Sequence, residues 1–216
     1  TGGDELFGNY SKWLRYEHPL ERYRQTKHFL YTGENIAQLI LHPNGSIYHK
    51  YMTEGMKNRV VNKGDHGIIN TNAWLEKTWR ECPSRSWRDR IPYVDFKIQL
   101  PEEFLMMLDR FSMYFSIEAR VPFLDRQLVE NVLGIPAQLR TKKYNAKYLL
   151  KEALGDILPE TLLQIPKRGF VLPYKEWLKN DLKEMVIDYC TGNTIKQQNL
   201  FSPEIENNLI APFYRG

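Results

Sequence analysis

Apolar residues recur at a spacing near 3.6 in nearly every segment of this chain, and convincing period-two alternation is missing. A chain patterned in this way buries helix stripes against one another and has no strands from which to build a sheet core. The expected fold class is all-α, or nearly so. The chain has 216 residues, 42% of them hydrophobic, enough to close a core, and it reads as a single domain over 1–216. No internal repeat or low-complexity segment interrupts it.

Local signals place the elements. A first helix is expected from Leu6, with Pro19 breaking or restarting it. Residues 20–31 form an amphipathic stretch stopped at Gly33, and 34–41 a short second helix. His42-Pro43-Asn44-Gly45 is a turn. Short helices joined by loops are expected over 46–70, a helix over 70–81, a break at Cys82-Pro83-Ser84, and a helix from Trp87 to Lys97 that accommodates Pro92. Leu100-Pro101-Glu102-Glu103 reads as a helix start, with proline in the first turn and acids at the dipole's positive end. Phe104, Leu105, Met107, Leu108, Phe111 and Phe115 then make an apolar face. Asp125 is a candidate N-cap for a helix over 126–133. Further helices are expected over 145–154, from Pro159, and over 173–190, the last with Trp177, Leu178, Leu182, Met185, Val186 and Tyr189 as its buried stripe. Residues 191–216 read as a polar tail with one helical turn over 203–210.

The formal charge of +4 is modest, and the cations lie scattered among 26 acids. No basic block of the kind that marks a nucleic-acid tail occurs. No apolar run is long enough to span a bilayer. Neither nucleic acid nor membrane is expected as a partner. Cys82 and Cys190 are far apart and read as free thiols, which suits a reducing compartment, the cytoplasm. The histidines at 18, 28, 42, 49 and 66 have no metal-ligand spacing, and no Walker-type glycine pattern is present.

Three stretches carry chemistry. The first, Thr1-Gly2-Gly3-Asp4-Glu5-Leu6-Phe7-Gly8-Asn9-Tyr10, sets two glycines before two acids. Taken alone it favours a surface turn, with Asp4 as N-cap of the helix from Leu6. It also suits a tight turn that offers a carboxylate to a divalent cation bridging phosphate oxygens. The second runs from Asp109-Arg110-Phe111-Ser112-Met113 to Glu118-Ala119-Arg120-Val121-Pro122-Phe123-Leu124-Asp125, where charges flank a stretch that looks buried. On pattern alone, Glu118 and Arg120 are read first as a salt-bridged pair holding a helix end. The other reading turns Glu118 toward a cavity to support a nucleophilic amine or a general base. The third combines Lys147, on a helix, with Pro166-Lys167-Arg168-Gly169-Phe170, a loop whose paired cations suit phosphate or pyrophosphate.

In this order, these motifs resemble the synthetase domain of the glutamine-dependent asparagine synthetases. The resemblance rests on Gly-Gly-Asp-Glu-Leu-Phe-Gly-x-Tyr at 2–10, Leu-Pro-Glu-Glu-Phe-Leu at 100–105, Asp-Arg-x-Ser-Met at 109–113 and Glu-Ala-Arg-Val-Pro-Phe-Leu-Asp at 118–125. It continues in Lys-Tyr-Leu-Leu-Lys-Glu-Ala at 147–153 and Pro-Lys-Arg-Gly-Phe at 166–170. Residues 20–90 and the tail carry little of it. The resemblance implies the helical C-terminal portion of an adenine-nucleotide α-hydrolase-like ATP-pyrophosphatase domain. Residues 1–10 would then be the last loop of the nucleotide fold.

The implied activity is an ATP-dependent, amide-forming carbon–nitrogen ligase of asparagine biosynthesis. It adenylates a carboxylate, aspartate foremost, and transfers ammonia from glutamine to give asparagine, AMP and pyrophosphate. Its implied cofactors are ATP and Mg2+. Its implied partners are aspartate, ammonia, and the N-terminal glutaminase and nucleotide-binding segments of a longer parent chain; a homodimer is compatible with it. Carried over by position, Asp4 would hold magnesium, while Glu118 and Lys167 would be catalytic. Lys147, Arg120, Arg168, Gly2 and Gly3 would contact substrate or phosphate. The isolated chain, read as a fragment, is expected to be inactive. Two departures occur: Thr1 stands where several relatives have Glu or Tyr, which bears on the substrate, and Asn9 replaces a glycine in a turn whose left-handed backbone Asn tolerates. The alternatives are a ligase for another carboxylate (sugar amidation, β-lactam closure or peptide cyclisation) and a non-catalytic helical scaffold.

Overall fold

The computed structural model describes residues 1–8, 27, 36–44, 52–62, 69–140, 142, 147–165 and 172–215. These residues are mostly helical and contain no strand; isolated bridges occur, one of them between Val61 and Phe201. The all-α expectation is met. The expectations for 20–31 and for the turn that closes at Gly45 lie largely outside the described residues. The chain divides into two compact units, Thr1–Gln25 with Trp74–Lys167, and Thr26–Ala73 with Arg168–Gly216.

In the first unit, α1 (Gly3–Phe7) starts three residues earlier than the sequence predicts. Asp4 is therefore inside the first turn rather than at the N-cap, which is Gly2 in a left-handed conformation with φ 92°. Leu6 and Phe7 of α1 are buried with Val132, and Phe96, Leu128, Val129, Leu149 and Leu150 pack around them. This cluster is the floor of the candidate site.

Proline misled the reading of residues 87–114. Pro101 does not start a helix. Trp87–Val94, the π-helical Asp95–Leu105 and Met106–Tyr114 follow one another without a break, carrying Pro92 and Pro101 inside. An interior proline lacks an N–H and crowds the carbonyl four residues back. Widening to π-type bonding moves the donors past it, and the Met106 N–H reaches Pro101 O and Glu103 O. The apolar face expected after Pro101 is not covered by the described residues. Met106–Tyr114 has no buried residue, and Phe111 and Phe115 are 65% and 71% exposed.

The helix over Arg126–Gly134 matches expectation, and Asp125 caps it by accepting a hydrogen bond from the Leu128 N–H at 3.0 Å. The short helices Ala137–Arg140, Tyr148–Ala153 and Glu160–Gln164 complete this unit's described part.

In the second unit, Ile36–Leu41 and Glu54–Val60 are helical, and Thr53 Oγ1 caps the latter by accepting from the Met56 N–H at 3.1 Å. The long helix expected over 173–190 is instead two, Tyr174–Lys179 and Lys183–Cys190. Asn180 departs from helical geometry between them, and the Asn180-Asp181 pair supplies the turn chemistry. The stripe expected to be buried there is not; neither helix has a buried residue. The polar tail also needs correction. It folds into Gly192–Gln198, the π-helical Glu206–Ile210 and Ala211–Arg215. Ile195 and Ile205 from that tail form a core cluster with Val60. A few apolar residues, correctly spaced, suffice to anchor a mostly polar segment.

Candidate functional site

The site is built around the loop that carries the two glycines. Gly2 and Gly3 are buried. A Cβ on Gly2 would lie 2.5 Å from Leu124 Cδ2, and one on Gly3 would lie 3.4 Å from the Phe123 ring. The ring of Phe123 also meets that of Phe7 edge-on, with centroids 6.0 Å apart. The loop at 121–125 thus lies on the glycine loop, and glycine at position 2 is what allows the approach. Within the glycine loop, the Leu6 N–H donates to Gly2 O at 3.0 Å and the Gly8 N–H to Asp4 O at 3.0 Å.

Lys147 closes this loop from above. Its Nζ lies 2.7 Å from Asp4 Oδ1, and its backbone N–H donates to Gly8 O at 2.9 Å. Lys147 has φ 56° and ψ 35°, the left-handed region that a lysine adopts at a cost. It then leads directly into Tyr148–Ala153, whose Lys151 N–H donates to Lys147 O. A strained residue held by two bonds to a loop remote in sequence is a feature that local sequence cannot signal, because lysine has no left-handed preference.

Glu118 and Arg120 form an ion pair, and both side chains are largely exposed, at 70% and 83%. Val121-Pro122-Phe123-Leu124 includes a short 3-10 turn at Pro122–Leu124 and is partly open rather than buried as its sequence suggests. Thus the structure joins Asp4 to Lys147 and stacks Phe123 and Leu124 on Gly3 and Gly2. It leaves Glu118 and Arg120 paired with each other at the surface. Lys167 and Arg168 lie outside the described residues.

Among the described residues the fold buries five charged side chains, those of Glu5, Glu54, Glu76, Asp95 and Arg140, none of which the sequence marks as buried. Glu5 is 2% exposed beside Asp4, and Arg140 is 1% exposed. Arginine ordinarily reads as a solvated cation, and the Asp89 partner that makes its burial tolerable lies 51 positions away. Among the described residues no three His, Cys, Asp or Glu side chains gather as a metal site. No described helix is long and apolar enough to cross a membrane.

The helical array sets a glycine–aspartate turn beside Lys147, in a chain whose sequence matches the asparagine synthase family. The family's model matches residues 1–212, and the chain belongs to that family. It is 31% identical over 212 residues, 86% of its length, to asparagine synthetase (glutamine-hydrolyzing) 1 of Bacillus subtilis (strain 168), and spans 32% of that protein. Over 69 residues, 31% of its length, it is 38% identical to the asparagine synthetase (glutamine-hydrolyzing) of Gallus gallus, covering 12% of that protein. It is also 31% identical over 94 residues, 41% of its length, to amidase chyE of Penicillium rubens, covering 14% of it. No solved structure matches the chain.

Proposed function

We propose that this chain is the helical part of an ATP-dependent, amide-forming ligase that adenylates aspartate and transfers to it ammonia from glutamine. The observation that carries this reading is the Lys147–Asp4 pair at 2.7 Å over the buried glycines. It puts a carboxylate and an ammonium side by side on a rigid floor, which is the charge arrangement a metal-bound polyphosphate requires. Family membership and the names of the Bacillus and Gallus relatives support the same reading.

The donor set was weighed against magnesium. An all-protein cage does not fit, because Asp4 has no cluster of further ligands around it among the described residues. One carboxylate completed by phosphate oxygens and water does fit, and that is how magnesium commonly binds at nucleotide sites. When bound, the ion would neutralise phosphate charge. The chain's own residues would then divide the work: Asp4 would hold the ion, and Lys147 would offer its ammonium to the phosphate. Glu118 and Arg120 keep the roles implied by their motif, Glu118 at the reacting acyl centre and Arg120 on substrate or phosphate. Lys167 keeps the role implied by its motif, stabilising charge as pyrophosphate leaves, and Arg168 that of contacting substrate or phosphate.

A second reading keeps this chemistry but changes the carboxylate. It is favoured by the similarity to amidase chyE and by Thr1 at the start of the loop. Both readings are tested in the full-length protein that carries this chain, by measuring pyrophosphate release from ATP with aspartate and glutamine. Release that depends on aspartate establishes the first. Release that requires a different carboxylate establishes the second, and no release with any carboxylate supports a scaffold.

A further inference from the structure

Within the first unit, the helix over Trp87–Val94, the start of the π segment and the turn at Leu133–Ala137 line an open cavity of about 440 Å³. Its walls are mainly apolar: Phe96, Leu133, Ile135 and Pro136, with Tyr93 and Arg140 among the polar contributors. Phe96 also packs against the Leu6, Phe7 and Val132 cluster beneath the Asp4–Lys147 site, and the other residues named here are not part of that cluster.

Arg140 is 1% exposed, and its bonding is incomplete. Its Nε donates to Ile135 O at 2.9 Å, and Nη2 donates to Asp89 Oδ1. Its Nη1 is buried with no hydrogen-bond partner. Asp89 already has both oxygens engaged, because Ser84 Oγ donates to Oδ2 at 2.7 Å. Nearby, Arg90 Nε donates to Ser84 O at 2.8 Å. The cluster therefore sets two guanidiniums against one carboxylate and retains a positive charge. A buried donor of a charged group left without an acceptor is costly, and the described residues supply none here.

We infer that this cavity is a binding site for a small monocarboxylate with an apolar body, whose carboxylate accepts from the Arg140 guanidinium. The net positive charge selects an anion. The apolar walls select a hydrocarbon body over a fully hydrated inorganic ion, and the volume suits a ligand the size of a benzoate or a short fatty acid. Arg140 and Asp89 both line the cavity, so a ligand carboxylate there lies beside the guanidinium.

The test is calorimetric titration of the full-length protein, without ATP, using benzoate, its neutral analogue benzyl alcohol, and inorganic phosphate. Benzoate is expected to bind saturably and about tenfold tighter than benzyl alcohol, the factor one charge-assisted hydrogen bond supplies. Leu133→Trp fills the cavity from a half-exposed position without touching the ion pair, and is expected to abolish benzoate binding. Arg140→Lys is expected to erase the preference for benzoate over the alcohol. Equal affinity for the two probes, phosphate bound as tightly as benzoate, or benzoate binding undiminished in Leu133→Trp would each overturn the assignment.

Discussion

Lys147 grips one loop twice, by its ammonium on Asp4 Oδ1 at 2.7 Å and by its backbone N–H on Gly8 O at 2.9 Å. The second bond requires the left-handed backbone at Lys147, and the first directs the side chain over the glycines. Strain and salt bridge can be separated by substitution. Lys147→Gly relieves the left-handed strain, whereas Lys147→Ala keeps it, and both lose the ion pair. The glycine variant is expected to be the more stable by about 1 kcal/mol, the reverse of the usual helix ranking. Urea denaturation decides the order. In the full-length protein both variants are expected to lower pyrophosphate release by about 100-fold or more, as removal of a preorganised charge does. Release at the wild-type rate would remove Lys147 from the site.

Gly2 is expected to tolerate no side chain. Its φ of 92° disfavours an L residue, and a Cβ would lie 2.5 Å from Leu124 Cδ2. Gly2→Ala should therefore cost roughly 2 kcal/mol or more. Pairing it with Leu124→Ala opens the space but leaves the backbone strain. A double-mutant cycle by chemical denaturation should show partial recovery relative to the sum of the single changes. Strict additivity would mean that Leu124 is not what presses on position 2.

The helices that the sequence shows clearly are those with local punctuation. Asp125 announces Arg126–Gly134, and the Trp74, Leu75, Trp79 spacing announces Thr71–Glu81. Pro101 carried the same kind of signal and misled, because π-type bonding lets a proline sit inside a helix and nothing in the flanking residues shows it. The break at Asn180 was visible in its Asn-Asp pair but was overridden by the apolar periodicity on either side. Of the site, the motifs named Asp4 and Lys147, but only the fold shows that they touch. Arg140 escaped notice because burial of a charge depends on a partner remote in sequence.

That partner supports an asymmetric prediction. Burial lowers the pKa of Arg140 from its ordinary value, and Asp89 opposes the shift. Asp89→Ala leaves a guanidinium buried without its counter-charge and should cost about 3 kcal/mol. Arg140→Met leaves Asp89, whose side chain is 30% exposed, with Ser84 Oγ and water. It should cost clearly less. Equal losses in denaturation experiments would show that the burial of Arg140 is not the controlling term.

Glu54 ties the second unit's stability to pH. It is 4% exposed, and its carboxylate accepts from Lys57 Nζ at 2.7 Å and from the Thr71 N–H at 2.6 Å. Burial pushes its pKa up, but the hydrogen bonds from Lys57 and Thr71 outweigh it and hold the pKa below the ordinary value of 4.5. A carboxyl group whose folded pKa is depressed contributes stability that is fully present above its unfolded value. That contribution is lost as pH falls through the folded pKa. The unit should therefore be indifferent to Glu54 ionisation at neutral pH and weaken below about pH 4.5 as protonation removes the Lys57 pairing. In Glu54→Gln the neutral-pH stability should fall, by roughly 1–3 kcal/mol, because Lys57 and the Thr71 N–H lose a charged acceptor. The same variant should show a flatter acid limb than the wild type. Parallel denaturation curves at pH 7 and pH 3.5 measure both effects, and an acid limb equally steep in Glu54→Gln would assign the pH sensitivity to another carboxylate.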